Sequence, residues 1–383
     1  MTSSERLLSD CVEIKRQFLR SVNLEKDFQA TNQNGQYIIT PTSRQILRRI
    51  AEGLGGESTY RAWTITGPYG VGKSAFAVFL TKVLCHQIAG SESAQRHLQG
   101  SDPELAREIA HRVGKGKGML PVAITARRAP AALCLTEGIR AGLSLIKSSR
   151  AKQLATECDS LLRDVRKGVV TDTRRIVSLI ASLEAVAHGS GYSGLLFMID
   201  ELGKIFEFAA RTPQKSDVFV LQEIAEHSSR SGAFPSLFLG FLHQSFEEYG
   251  QHLDSLTRKE WAKIHGRFED VAFLEPADQL IRMIAAAMNW TGELSAEVSR
   301  QIRQVARASI ESGACPPGMR KSEFEEICLR TYPLHPLTLV ALPFIFRRFA
   351  QNERSLFSYL SSMEPNGFQD FLRTHRVSKD LPT

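Results

Sequence analysis

The segment Gly67-Pro68-Tyr69-Gly70-Val71-Gly72-Lys73-Ser74 constrains this chain more than any other. It follows a short β-type run, Ala62 to Thr66, and opens a helical stripe of apolar residues at Phe76, Phe79, Leu80 and Leu84. It matches G-x-x-x-x-G-K-[ST] in the strand–turn–helix setting that this pattern needs to hold phosphate. The glycines let backbone N–H groups turn inward without Cβ clashes, and the helix N-terminus adds partial positive charge. Lys73 is the cation for the outer phosphates, Ser74 supplies a hydroxyl to a divalent metal, and Ala75 follows as the next helical residue. A Gly-rich turn with an accidental lysine is the bland alternative, and the flanking strand and helix weigh against it.

A second segment belongs to the same chemistry. Leu196-Phe197-Met198-Ile199 is an apolar run ending in Asp200-Glu201. Four apolar residues in a row suit a strand buried on both faces. At its end Asp200 would hold Mg2+, with Ser74, and Glu201 would act as the base that polarises an attacking water. Such a pair is also what a buried strand ending in a solvated turn looks like. With a phosphate loop in the same chain, the metal-and-base reading is preferred. Adenine is preferred to guanine because no N-K-x-D or T-K-x-D segment follows, so the expected ligands are ATP and Mg2+.

At 383 residues the chain is long enough for one large domain and a smaller one. Apolar residues at 43% and charged residues at 23% are ordinary for a globular core. The six cysteines include no C-x-x-C pair, which argues against a zinc site or a disulfide framework and fits a reducing cytoplasm. The longest apolar stretch, Leu334 to Phe346, is broken by His335 and two prolines and is too short to span a bilayer, so no membrane association is expected. A net charge of +7 permits contact with nucleic acid without requiring it.

Periodicity predicts strands at Ala62–Thr66, Met119–Thr125, Gly194–Ile199, Ser236–Leu242 and Val271–Leu274, alternating with helices. Beyond Pro276 the pattern is helical throughout. This predicts an α/β fold: a P-loop parallel-sheet αβα core at 37–275, preceded by a partly helical leader at 1–36 and followed by an all-helical lid at 276–383. Residues 90–117 read as polar and irregular. The long interval between Lys73 and Asp200 leaves room for a helical insertion at about 90–190.

Together these segments resemble AAA+ ATPases, and within them the origin-recognition-like and STAND-like clades. The resemblance implies three further site residues. His243, after the strand Ser236–Leu242, takes the "sensor one" place, with Gln244 as the alternate and a satisfied core histidine as the plain reading. Arg267, before Val271 to Leu274 and the Asp278-Gln279-Leu280 helix, takes the place of an arginine finger reaching a neighbouring subunit, or else pairs within a turn. Arg354, in Asn352-Glu353-Arg354-Ser355, takes the "sensor two" place, or is a solvated helix residue. A homo-oligomer is implied. Asp200 to Lys204 and Tyr332 to Leu337 also look like segments of large bacterial ATPases in multi-gene phage-defence systems, the BREX type included. That likeness implies a protein partner in the same system and an N-terminal module of a longer polypeptide.

Lys147 to Arg175 holds eight basic and four acidic residues on a helical pattern, and Gly114 to Gly118 adds two lysines. Double- or single-stranded DNA would bind here through phosphates, since no aromatic residues interleave the charges. An ordinary solvated helical face has the same composition. The expected function is an ATP-hydrolysing module that couples nucleotide state to a partner protein or DNA. The alternatives are a slow nucleotide-gated scaffold, and a DNA-binding module with a structural ATP site.

Overall fold

A computed structural model of the chain describes residues 6–15, 22–29, 37–56, 58, 60–169, 172–215, 217–291, 294–349 and 356–377. Among the described residues the strands are β1 (Val12–Ile14), β2 (Ala62–Thr66), β3 (Leu120–Thr125), β4 (Leu195–Asp200), β5 (Ser236–Leu242), β6 (Glu269–Ala272) and β7 (Met288–Trp290). The chain folds into two compact units. One comprises Val22–Pro68 and Gly72–Phe273, the other Met1–Ser21, Tyr69–Val71 and Leu274–Thr383.

The larger unit is built on a five-stranded sheet in the order β3-β4-β5-β2-β6, with every pairing parallel. All six residues of β4 and all seven of β5 are buried. Successive side chains point to opposite faces, so both faces of these strands are covered, and only an unbroken apolar run satisfies that. Gly240 in β5 lies where a Cβ would collide with Leu202, so this glycine admits the turn that follows β4. The strand order places β5 between the strand that leads into the phosphate loop and the strand that ends in the acidic pair.

Residues 90–117, read from sequence as irregular, contain two helices, Ser91–Ser101 and Pro103–Val113. The signal was there but sparse. Leu105, Ile109 and Val113 recur every fourth residue and are buried, while the rest of that helix is small or polar apart from Pro103 at its start. Asp102 accepts a hydrogen bond from the Leu105 N–H, with Pro103 at the first helical position, and its carboxylate also takes the Arg48 guanidinium at 3.1 Å. The last strand runs Glu269–Ala272, two residues earlier than its apolar content suggested, because β6 is an edge strand with a single buried residue, Val271.

The charged segment after residue 147 forms the helices Ser149–Arg166 and Thr173–Gly189. The second is tied to the helix Val220–Arg230 by Glu184, which meets His227 Nε2 at 2.9 Å and also accepts from the Ser236 hydroxyl. The carboxylate raises the His227 pKa above its usual value, so folding favours the charged imidazole. That contribution is fully present below an unfolded-state pKa of about 6.5 and is lost as pH rises through the higher folded value. His227→Gln is therefore expected to cost more stability at acidic than at alkaline pH, by less than about 1 kcal/mol after solvent screening. Urea unfolding of both proteins on either side of that window checks it.

The smaller unit is helical, with helices at Ala277–Ala287, Ala296–Glu311, Lys321–Arg330, Pro336–Phe349, Leu356–Ser361 and Phe368–Thr374. Its core gathers Ile281, Ile284, Phe324, Leu339 and Leu360. A short antiparallel pair, β1 with β7, adds a strand from residues 1–36 to this unit. Within that predicted leader the described residues hold a single helical turn of α type, Leu24–Asp27, and it belongs to the larger unit. Among the described residues no helix is long and apolar enough to cross a membrane, and all six cysteines are free.

Candidate nucleotide site

The candidate residues meet where β2, β5 and β4 end. In this parallel sheet Thr66 pairs with Leu242 and Ile199 with Gly240, so the carboxyl ends of the three strands lie side by side. The chain leaves β2 at Gly67, whose N–H donates to the Leu242 carbonyl at 3.1 Å. A Cβ at Gly67 would collide with the Phe273 carbonyl oxygen, which is why the first loop position has no side chain. Gly70 and Gly72 have φ of 75° and 97°, in the left-handed region that favours glycine. Gly72 then caps the helix Lys73–Leu84.

Lys73 and Ser74 occupy the first turn of that helix. Lys73 is buried, and its Nζ donates back to the carbonyls of Gly67 and Pro68, the latter at 2.8 Å. Burial pulls its pKa down to about 8, against the opposing pull of Asp200 and Glu201. The Ser74 hydroxyl donates to Asp200 Oδ2 at 2.6 Å, joining two residues 126 positions apart. Asp200 is itself buried, and burial raises its pKa although Ser74 and the Glu201 N–H both donate to it. A buried carboxylate and a hydroxyl, both hard oxygen donors, are the protein ligands that Mg2+ takes when substrate phosphates and water complete its shell. Among the described residues no cluster of three or more His, Cys, Asp or Glu forms a dedicated metal cage. The residues present therefore fit Mg2+ brought with a nucleotide.

Glu201 has a φ of 53°, a left-handed conformation that a non-glycine residue seldom adopts. Such strain costs of order 1 kcal/mol and concentrates at functional sites. It turns the Glu201 carboxylate out of the strand, where it meets Lys204 Nζ as an ion pair. Glu201 is thus adjacent to the buried Asp200 but held by a neighbouring cation.

His243 follows β5 and lies between the loop and the acidic pair. Its Nδ1 is 2.9 Å from the Tyr249 hydroxyl, and burial lowers its pKa, so it is neutral at neutral pH. Gly203 makes this possible: a Cβ there would collide with the Tyr249 hydroxyl and ring. Tyr249, Gly203 and Lys204 were missed in the sequence because their spacing carries no motif. Asp200-Glu201-Leu202-Gly203-Lys204 did show a glycine and a lysine just past the acidic pair, and that was the available signal.

Arg267 stands two residues before β6 and so at the amino end of the sheet, away from the loop. Its Nε pairs with Glu226 at 3.0 Å and its side chain is about half exposed at 52%. It is not brought to Lys73, Asp200 or Glu201 of its own chain. Arg354 lies outside the described residues. Tyr69 to Val71, the tip of the loop, belong to the smaller unit.

No protein-family model matches this chain, and no curated protein matches it either. The geometry above is what argues for a function.

Proposed function

We propose that this protein binds ATP with Mg2+ and hydrolyses it, as an AAA+ module. The observation that carries this reading is the bond between Ser74 and Asp200, which joins the phosphate loop to the acidic pair. Around it Lys73 would meet the β- and γ-phosphates, and the loop N–H groups would hold the β-phosphate. Glu201 would orient and deprotonate the attacking water, and neutral His243 would donate a hydrogen bond near the γ-phosphate. Ser74 and Asp200 would hold Mg2+, which would supply Lewis-acid stabilisation of negative charge on the phosphates. The AAA+ assignment is supported by the strand order, with β5 and its polar His243 between the two motif strands. Arg267, at the far end of the sheet, would act only on another molecule, which suits a finger supplied to a neighbouring subunit. A role in a bacterial anti-phage system, with a protein partner, rests on the segment likeness alone. The test is Mg2+-dependent binding of a fluorescent ATP analogue together with phosphate release. An absence of Mg2+-dependent binding overturns the proposal.

One observation favours the second reading, a nucleotide-gated scaffold with slow turnover. Lys204 neutralises and holds the Glu201 carboxylate. If that pair restrains the base, Lys204→Met is expected to raise turnover up to about fivefold, the rate equivalent of a partly exposed ion pair. Steady-state phosphate release from both proteins decides this. A fall in turnover would assign Lys204 a supporting place in catalysis instead.

A further inference from the structure

The structure assigns a second surface to the larger unit, at the amino ends of β3 and β4, and we infer that it takes the phosphodiester backbone of duplex DNA. Two lysine-bearing segments that are about 30 positions apart in the chain meet there. Lys117 and Lys147 line one cleft of about 490 Å3. Lys147 continues into a second cleft of about 650 Å3, lined also by Lys152 and Arg140. Ile146, Lys147 and Ser148 line both, so the two clefts share a wall at the turn before the helix Ser149–Arg166. Exposed Lys115 and Arg150 flank it.

The charge here is one-sided. The first cleft has no acidic residue among its described lining, and the second has Asp159, which Arg140 already engages at 3.0 Å. Among the described residues no ion pair joins Lys115, Lys117, Lys147, Arg150 or Lys152 to a carboxylate. An ordinary solvated helical face would lace such charges with carboxylates, as Arg303, Arg307 and Arg330 are laced with Glu325 and Glu326 elsewhere in the chain.

The loop that carries two of the lysines is pinned. The His86 N–H donates to the Lys117 carbonyl at 3.0 Å, and the Ser193 N–H to the Gly118 carbonyl at 2.9 Å. Lys117 itself stands over the Tyr192 ring, 5.2 Å from its centroid. Tyr192 is buried beneath that lysine, so it offers no free face for stacking a base. Spaced point charges with no exposed aromatic platform suit recognition of phosphates rather than bases.

This surface lies one strand length from the candidate nucleotide site, about 20 Å for six residues. The inference does not rest on the nucleotide reading, and the two fail separately. The experiment is fluorescence anisotropy with a labelled DNA duplex of about 30 base pairs, titrated at salt between about 50 and 200 mM. The full chain is compared with the triple variant Lys117→Glu, Lys147→Glu, Lys152→Glu. A charge-matched control carries Lys15→Glu, Lys259→Glu and Lys321→Glu, and a neutral triple, with Gln at 117, 147 and 152, guards against misfolding. Wild type is expected to lose affinity with a log–log salt slope near −4, and the cleft triple to flatten that slope by about 3 and bind roughly 10- to 100-fold more weakly. The Gln triple should fall between them, and the control should stay within about twofold of wild type. Absence of wild-type binding overturns the inference, as does equal weakening in the control, which would make net charge the cause. Displacement of the duplex by polyglutamate at equal charge also overturns it, in favour of an acidic protein partner.

Discussion

Lys73→Ala is expected to weaken Mg2+·ATP binding by about 10²- to 10⁴-fold, the loss of two charge-assisted hydrogen bonds at about 1.5–3 kcal/mol each. Lys73 is buried at the start of a helix, and its ammonium is held by the carbonyls of the first two loop residues, Gly67 and Pro68. A buried ammonium whose pKa has already been pulled down to about 8 regains a full partner when a polyanion arrives. A titration with fluorescent ATP analogue measures the effect, and a melting curve of the variant without nucleotide separates it from misfolding. Equal affinity in the two proteins would remove the loop from the nucleotide site. Lys73→Arg should not restore binding, because a planar guanidinium is not interchangeable with a compact ammonium at a buried site.

Glu201→Gln is expected to leave nucleotide affinity within a few-fold of wild type and to lower turnover by about 10²- to 10⁴-fold, the usual contribution of a positioned general base. The amide keeps the shape of the side chain and the left-handed turn that presents it, and loses the basicity together with the charge that pairs with Lys204. Asp200 is the contrast, because its carboxylate meets the Ser74 hydroxyl and an asparagine there should weaken Mg2+-dependent binding itself. Single-turnover phosphate release with the nucleotide pre-bound reads the two effects apart. If Glu201→Gln turned over at the wild-type rate, the base would lie elsewhere and the strained backbone at Glu201 would serve the turn alone. The Lys204 measurement belongs beside this one, since in Glu201→Gln the ion pair is gone and Lys204→Met should then have no further effect on rate. Non-additivity of that kind is the signature of two residues acting through one contact.

Much of the core was readable in the chain. β2 and β5 begin and end where the periodicity put them, because their apolar residues are continuous and their ends carry turn residues. The phosphate loop and the acidic pair were readable for a different reason: each is a local run whose residue types are dictated by the backbone path or by a strand end. The helices between residues 91 and 113 were not read, since polar residues dilute a stripe that touches the core at only every fourth position. Nor was the capping of the helix Ala131–Leu143 by Asp217, whose carboxylate accepts from the Ala131 and Ala132 N–H groups across 86 and 85 positions.

What local sequence determined is therefore the set of elements and the two motifs, since helix, strand and turn preferences act over a few residues. Strand order was beyond it. Nothing in the run Leu195–Asp200 says that β5 will lie between it and β2, because parallel pairing is decided by which buried faces and crossovers pack together. That order brings the ends of β2, β5 and β4 side by side, where Ser74 comes within a hydrogen bond of Asp200 and His243 follows the strand between them. Lys117 and Lys147 meet at the opposite end of the sheet for another reason: the helix Ala131–Leu143 carries the chain from the carboxyl end of β3 back to its amino end. Side-chain neighbours such as Lys204 on Glu201 and Tyr249 on His243 depend on a left-handed turn and on a glycine with no Cβ. Those are properties of the folded backbone, and residue preference does not encode them.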